Sequence, residues 1–145
     1  MKLLVAIDFS EITKLILESV EQIALKTAAK VWLIHVAQPD PDFIGYDVGP
    51  DSERKFMATK FRDQHIKIQE YSAELKNKGI DITPLLVQGP TVETIIDEAE
   101  KLKVDMIVAG SHGHGTMFHI LVGSISQGLL KNSQIPLLII PTRKE

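Results

Sequence analysis

Five short apolar runs recur along the 145 residues, and a longer stretch of helical spacing separates each run from the next. The runs are Lys2 to Ile7, Val31 to Val36, Ile80 to Val87, Val104 to Ala109 and Leu137 to Ile140. Residues apolar at consecutive positions suit strands buried on both faces, as in a parallel sheet covered by helices. The intervening stripes carry the helical period. Ile12, Leu15, Ile16, Val20, Ile23, Ala24 and Thr27 form the first. Met57, Phe61, His65, Ile68, Ser72 and Leu75 form the second, stopped by Gly79. Val92, Ile95, Ile96, Ala99 and Leu102 form the third, opened by Gly89-Pro90 at the position where proline costs no helical hydrogen bond. Leu121, Ile125 and Leu129 begin the fourth. Strand and helix in strict alternation predict an α/β fold with right-handed crossovers.

Length and composition narrow the function. The 145 residues are expected to form a single domain, 1–145. A net charge of −3, with no block of Lys and Arg, speaks against nucleic acid as a partner. The absence of cysteine excludes disulfides, thiolate zinc sites and cysteine nucleophiles. Asp8 interrupts the first apolar run, which is too short for a signal peptide. No stretch approaches the roughly 18 apolar residues of a membrane span, so a cytoplasmic location is expected, without membrane association. Ala37 to about Asp51, with Pro39, Pro41, Gly45, Gly49 and Pro50, reads as an irregular loop: a flap over a site or a plain surface excursion.

In open α/β sheets ligands bind beyond the carboxyl ends of the strands, where strand order reverses. The richest strand end is Ala109-Gly110-Ser111-His112-Gly113-His114-Gly115, whose glycines permit positive backbone torsions and close approach of a ligand. Gly123-Ser124-Ile125-Ser126 then opens a helix whose uncovered N–H groups and dipole favour an anion. Ser124 and Ser126 can add hydroxyl donors, and the whole reads as a phosphate cradle. It holds no Lys or Arg. Charge neutralisation therefore falls to amides, hydroxyls, distant side chains or a metal, and magnesium bound to the phosphates fits. The Gly-x-x-x-x-Gly-Lys-Ser/Thr loop and the Gly-x-Gly-x-x-Gly fingerprint are both absent. His112, His114 and His119 lack the ligand set of a structural zinc site. Asp8 reads either as a ligand contact or as a loop-ordering acceptor, and His35 as a satisfied histidine at the rim of the core.

Gly110-x-x-Gly113, nine residues, then Gly123-Ser124 resembles the pattern of the ATP-binding members of the universal stress protein family. Val5-Ala6-Ile7-Asp8-Phe9-Ser10, Leu33-Ile34-His35-Val36, Gln88-Gly89-Pro90 and Pro136 to Ile140 resemble that family's first strand, second strand, turn before the third helix and closing strand. The similarity covers essentially the whole chain. It implies a doubly wound five-stranded parallel sheet in the order 3-2-1-4-5, with helices on both faces. It also implies ATP or AMP as ligand. Ala6, Ile7 and Asp8 then line the adenine and ribose side. Val36 packs on the base, with Gln88 or Gly89 nearby. Ala109, Gly110, Ser111, His112 and Gly113 wrap the ribose and first phosphate, and Gly123, Ser124, Ile125 and Ser126 hold phosphates. Many relatives carry Pro or Thr just before the aspartate where this chain has Ala6-Ile7, so base contacts are expected to differ in detail. Leu137 to Ile140 forms a wholly apolar edge strand, which invites pairing with another chain; the resemblance implies a homodimer there. The expected function is nucleotide-dependent regulation in a stress response, without catalytic residues. The alternatives are a slow ATPase or phosphotransferase, and a nucleotide-independent dimeric interaction module.

Overall fold

The computed structural model describes residues 1–37, 51–111 and 123–142. The elements follow the predicted alternation: β1 (Lys2–Ala6), α1 (Thr13–Thr27), β2 (Lys30–Ala37), α2 (Asp51–Asn77), β3 (Asp81–Gln88), α3 (Thr91–Leu102), β4 (Met106–Gly110), α4 (Ser124–Asn132) and β5 (Leu137–Ile140). The strands form one sheet in the order β3-β2-β1-β4-β5, with every neighbouring pair parallel. Strand order therefore reverses between β1 and β4, as expected.

Consecutive strand residues feed opposite layers. Leu3 and Val5 of β1 and Leu33 of β2 pack with Ile16, Val20, Ile68 and Leu75 of α1 and α2. Leu4, Ile34 and Ile107 pack with Ile95, Ala99 and Leu129 of α3 and α4. A strand covered on both faces has no polar side to show, which is why these runs are continuously apolar. Leu3, Leu4, Leu33, Ile34 and Ile107 are fully buried, and each such side chain contributes roughly 1.5–3 kcal/mol of transfer free energy.

Local chemistry sets the boundaries. Ala28 and Lys103 end α1 and α3 in the left-handed conformation, with φ of 52° and 54°. Gly79 follows α2 with φ 92°, so the predicted stop is present. Val104, read as the start of strand four, instead donates its N–H to Ala99 at the end of α3. The strand begins at Met106, after the Asp105 N–H has reached the Lys2 carbonyl. The irregular segment expected from Ala37 to about Asp51 lies outside the described residues, except for its two ends, which close β2 and open α2. Among the described residues, no helix is long and apolar enough to cross a membrane.

Candidate functional site

A cleft of about 980 Å³ opens at the carboxyl ends of the strands. Eleven of the predicted site residues line it: Ala6, Ile7, Asp8, Val36, Gln88, Ala109, Gly110, Gly123, Ser124, Ile125 and Ser126. His112 and Gly113 lie outside the described residues, as do His114 and His119. Gly89 and Ser111 are absent from the lining. The Gly89 φ is 152°, and a Cβ there would stand 2.6 Å from Thr94 Oγ1. Its N–H bonds the Ala37 carbonyl at 3.2 Å, so backbone geometry demands this glycine. The Ser111 side chain turns away to β5, where its Oγ accepts the Thr142 N–H at 3.0 Å and lies 3.1 Å from Thr142 Oγ1.

The start of α4 forms one pole of the cleft. Gly123 is its N-cap, with an ordinary φ of −68°. That torsion is one any residue adopts, so the backbone does not require glycine here. Its N–H is taken by the Ser111 carbonyl at 2.6 Å, and its carbonyl accepts the Gln127 N–H. Gly123 has no side chain to cap the helix, and the first-turn amides of Ser124, Ile125 and Ser126 have no intrahelical partners. Ser126 Oγ donates to the Gly110 carbonyl at 2.6 Å. That bond ties the helix to β4 and uses the hydroxyl proton that had been expected to face a phosphate.

At the other pole β1 and β2 part. Their register runs to Ala6–Ile34, and the Ile7 N–H still reaches the Ile34 carbonyl at 3.0 Å. One further step would bond the Val36 N–H to the Ile7 carbonyl, and that bond is absent. His35 Nδ1 stands 2.8 Å from the Ile7 carbonyl instead. A carbonyl only accepts, so Nδ1 carries the proton. Beyond Ile7 the chain turns. Asp8 Oδ1 accepts the Ser10 N–H at 2.9 Å, and Phe9 adopts a left-handed φ of 61°. The Phe9 ring lies 4.4 Å from the His35 ring and stacks at 6.4 Å on Tyr71, with Lys67 Nζ 5.5 Å from its centre. Burial pushes the His35 imidazole below its ordinary range. The Ile7 bond and the Asp8 charge oppose that shift, and Lys60 adds to it.

The predicted site lacked a third wall, which is the amino-terminal half of α2. Met57, Lys60, Phe61, Arg62, Gln64 and His65 line the cleft, together with Ile12 and Ile16 at the start of α1. Lys60 and Arg62 bring to the cleft the positive charge that the glycine-rich segment lacks. Met57, Phe61 and His65 carry the helical spacing of core residues in the sequence. Nothing in that spacing separates a wall from a core; the 27-residue length of the helix is the signal that does. Among the described residues, no group of three His, Asp or Glu side chains is placed to hold a metal.

The sequence model described as the Universal stress protein family matches residues 1–141. Universal stress protein MJ0577 of Methanocaldococcus jannaschii is 27% identical, over 96% of this chain and 93% of that protein. The solved structure of MJ0577 superposes with a TM-score of 0.85, covering 99% of this chain and 97% of the other at 27% identity. A universal stress protein solved in complex with cAMP superposes with a TM-score of 0.72 at 22% identity, covering 99% of this chain and 98% of that one. The Arabidopsis thaliana family protein At3g01520, solved with AMP bound, has a TM-score of 0.66 at 20% identity, with coverages of 99% and 92%.

Proposed function

This chain belongs to the universal stress protein family, and we propose that residues 1–145 act as one regulatory unit that binds ATP or AMP in the cleft between β1 and β4. The observation that carries this reading is the pairing of two kinds of open main-chain group in one cleft. The first-turn amides of α4, which have no intrahelical acceptor, suit a phosphate, because donors and helix dipole both favour an anion there. The parted ends of β1 and β2 leave the Val36 peptide facing the gap, and a peptide edge can read a base by donating and accepting side by side. Val36 and the partly exposed Ile125 supply apolar surface for the ring. The AMP and cAMP complexes of the two relatives support the choice of adenine. Magnesium would enter with the phosphates, since no protein ligand set for it stands among the described residues.

Calorimetry with ATP and AMP, repeated on Gly123→Val, tests the reading. The parent is expected to bind. The variant is expected to lose measurable heat with its circular dichroism unchanged, because a side chain at the N-cap intrudes where the phosphates approach. Equal affinity in the two proteins would move the phosphates elsewhere, and no heat from the parent at millimolar nucleotide would favour a nucleotide-independent interaction module. Lys60 and Arg62 support a second reading, slow phosphoryl transfer, because charge stabilisation is what that reaction needs. Single-turnover hydrolysis of labelled ATP separates the two, with turnover near background expected. We further propose a cytoplasmic homodimer joined through β5. Its partly exposed Leu137, Leu138 and Ile139 and the neighbouring Leu130, 58% exposed, support that assembly.

A further inference from the structure

We propose that His35 is a positioning residue that holds the β1–β2 ladder open, so that the Val36 amide is kept for a ligand. This inference rests on the nucleotide reading only for the identity of that ligand.

The argument begins with alternation. In a strand, the N–H and C=O of one residue point the same way, and those of the next residue point the opposite way. The Ile34 carbonyl accepts from Ile7, the residue after β1, so the Val36 N–H and C=O also face that side. Regular continuation would close the Val36 N–H onto the Ile7 carbonyl, and Ile7 stands at the right height for it, since its own N–H has made the preceding bond. The ladder nevertheless stops. What differs at this point is a side-chain donor on the Ile7 carbonyl.

The side chains of Leu33 and His35 lie on the α1–α2 face of the sheet, as the contact of His35 with Phe9 shows. A donor standing off that face at 2.8 Å favours an Ile7 carbonyl tilted toward it, whereas a ladder bond favours one in the sheet plane. The carbonyl has a second lone pair, so occupancy alone would not exclude Val36; direction does. The His35 ring is itself fixed by Phe9, whose left-handed backbone and contact with Tyr71 hold it against the imidazole. His35 thus acts on the Ile7 carbonyl from the face of the sheet, beside the end of the ladder. Val36 and Ile7 both line the cleft, so the groups kept apart are the ones a ligand meets.

Two variants separate the donor from the bulk of the ring. Asn places an amide N–H where Nδ1 stands, and Leu fills the space without donating. The first measurement, on unliganded protein, is hydrogen exchange of the Val36 amide by NMR. His35→Leu is expected to slow it at least about tenfold as the ladder closes, and His35→Asn to restore the parental rate. The second is AMP affinity, expected to fall about tenfold in His35→Leu, the scale of one hydrogen bond, and to recover in His35→Asn. Unchanged exchange in His35→Leu overturns the inference, and so does slowed exchange with unchanged AMP affinity. An Asn variant that behaves like Leu overturns the donor role. If the parent binds no adenine nucleotide, the functional reading fails, while the exchange measurement still decides whether His35 holds the ladder open.

Discussion

His35 also carries a pH dependence that can be read at a single residue. Burial holds its imidazole below the ordinary value of 6.5, against the pull of the Ile7 bond and Asp8. The unfolded chain therefore binds a proton at a pH where the native protein does not, and stability rises with pH across that window. The contribution is complete above about 6.5 and is lost as pH falls from there through the native value. Urea midpoints at pH 7.5 and pH 5 check this. The parent is expected to lose more stability on acidification than His35→Asn, which keeps the Ile7 bond and does not titrate. Equal losses would assign the acid sensitivity to the carboxylates. The residue scale is also where the sequence was least legible. Ser111 and Gly89 sit in the right strand ends for ligand contact, yet one is held by Thr142 and the other by a backbone torsion. Both constraints come from residues far apart in the chain or from φ itself, and neither leaves a mark in local spacing. Asp8 showed both of its possible faces in the sequence: it orders its own turn through Ser10 and also borders the cleft.

At the scale of elements, the strands and the helix stops followed from apolar runs and punctuation, but the division of labour within α2 did not. A helix of 27 residues is about 40 Å long, whereas an eight-residue strand spans only about 26 Å. The excess must overhang the sheet. Ile68, Ser72 and Leu75 are buried against the sheet, and Met57 and Phe61, half-buried beyond it, line the cleft. The legible signal was Pro50-Asp51-Ser52, a helix-start pattern that lengthens α2 past its apolar stripe. A second packing constraint lies between α3 and α4. A Cβ on Gly128 would come within 2.7 Å of Val92 Cγ2, so the two helices approach as closely as glycine allows. Alanine is the better helix former by about 1 kcal/mol, while overpacking costs typically 1–3 kcal/mol. Gly128→Ala is therefore expected to destabilise by about 1 kcal/mol, and Val92→Ala in the same chain to recover part of that loss. A double-mutant cycle from denaturation midpoints checks the coupling. A stabilised single variant would show that the helices can part at no cost.

The whole-molecule order 3-2-1-4-5 is the one the resemblance implies; the apolar runs by themselves specify buried strands and leave their order open. β5, like β3, is an edge, and because every one of its residues is apolar its character needs a further cause. Its register supplies a clean test. The Pro136 carbonyl accepts from Ile107 and the Ile140 carbonyl accepts from Ser111, so alternate residues 136, 138 and 140 face β4. The Leu137 and Ile139 main chains then face outward, away from the sheet. Proline lacks the N–H that an added strand needs, and an edge strand tolerates it where that N–H pointed outward. Ile139→Pro thus removes an edge donor without deleting a bond to β4. If a second copy pairs along β5, the parent is expected to sediment at the mass of two chains and the variant at the mass of one, with the variant's far-ultraviolet spectrum retained. A variant that stays dimeric would shift the interface to side-chain contacts such as Leu130. A parent that sediments as a single chain would leave the apolar character of β5 to its packing on β4 and α4 alone.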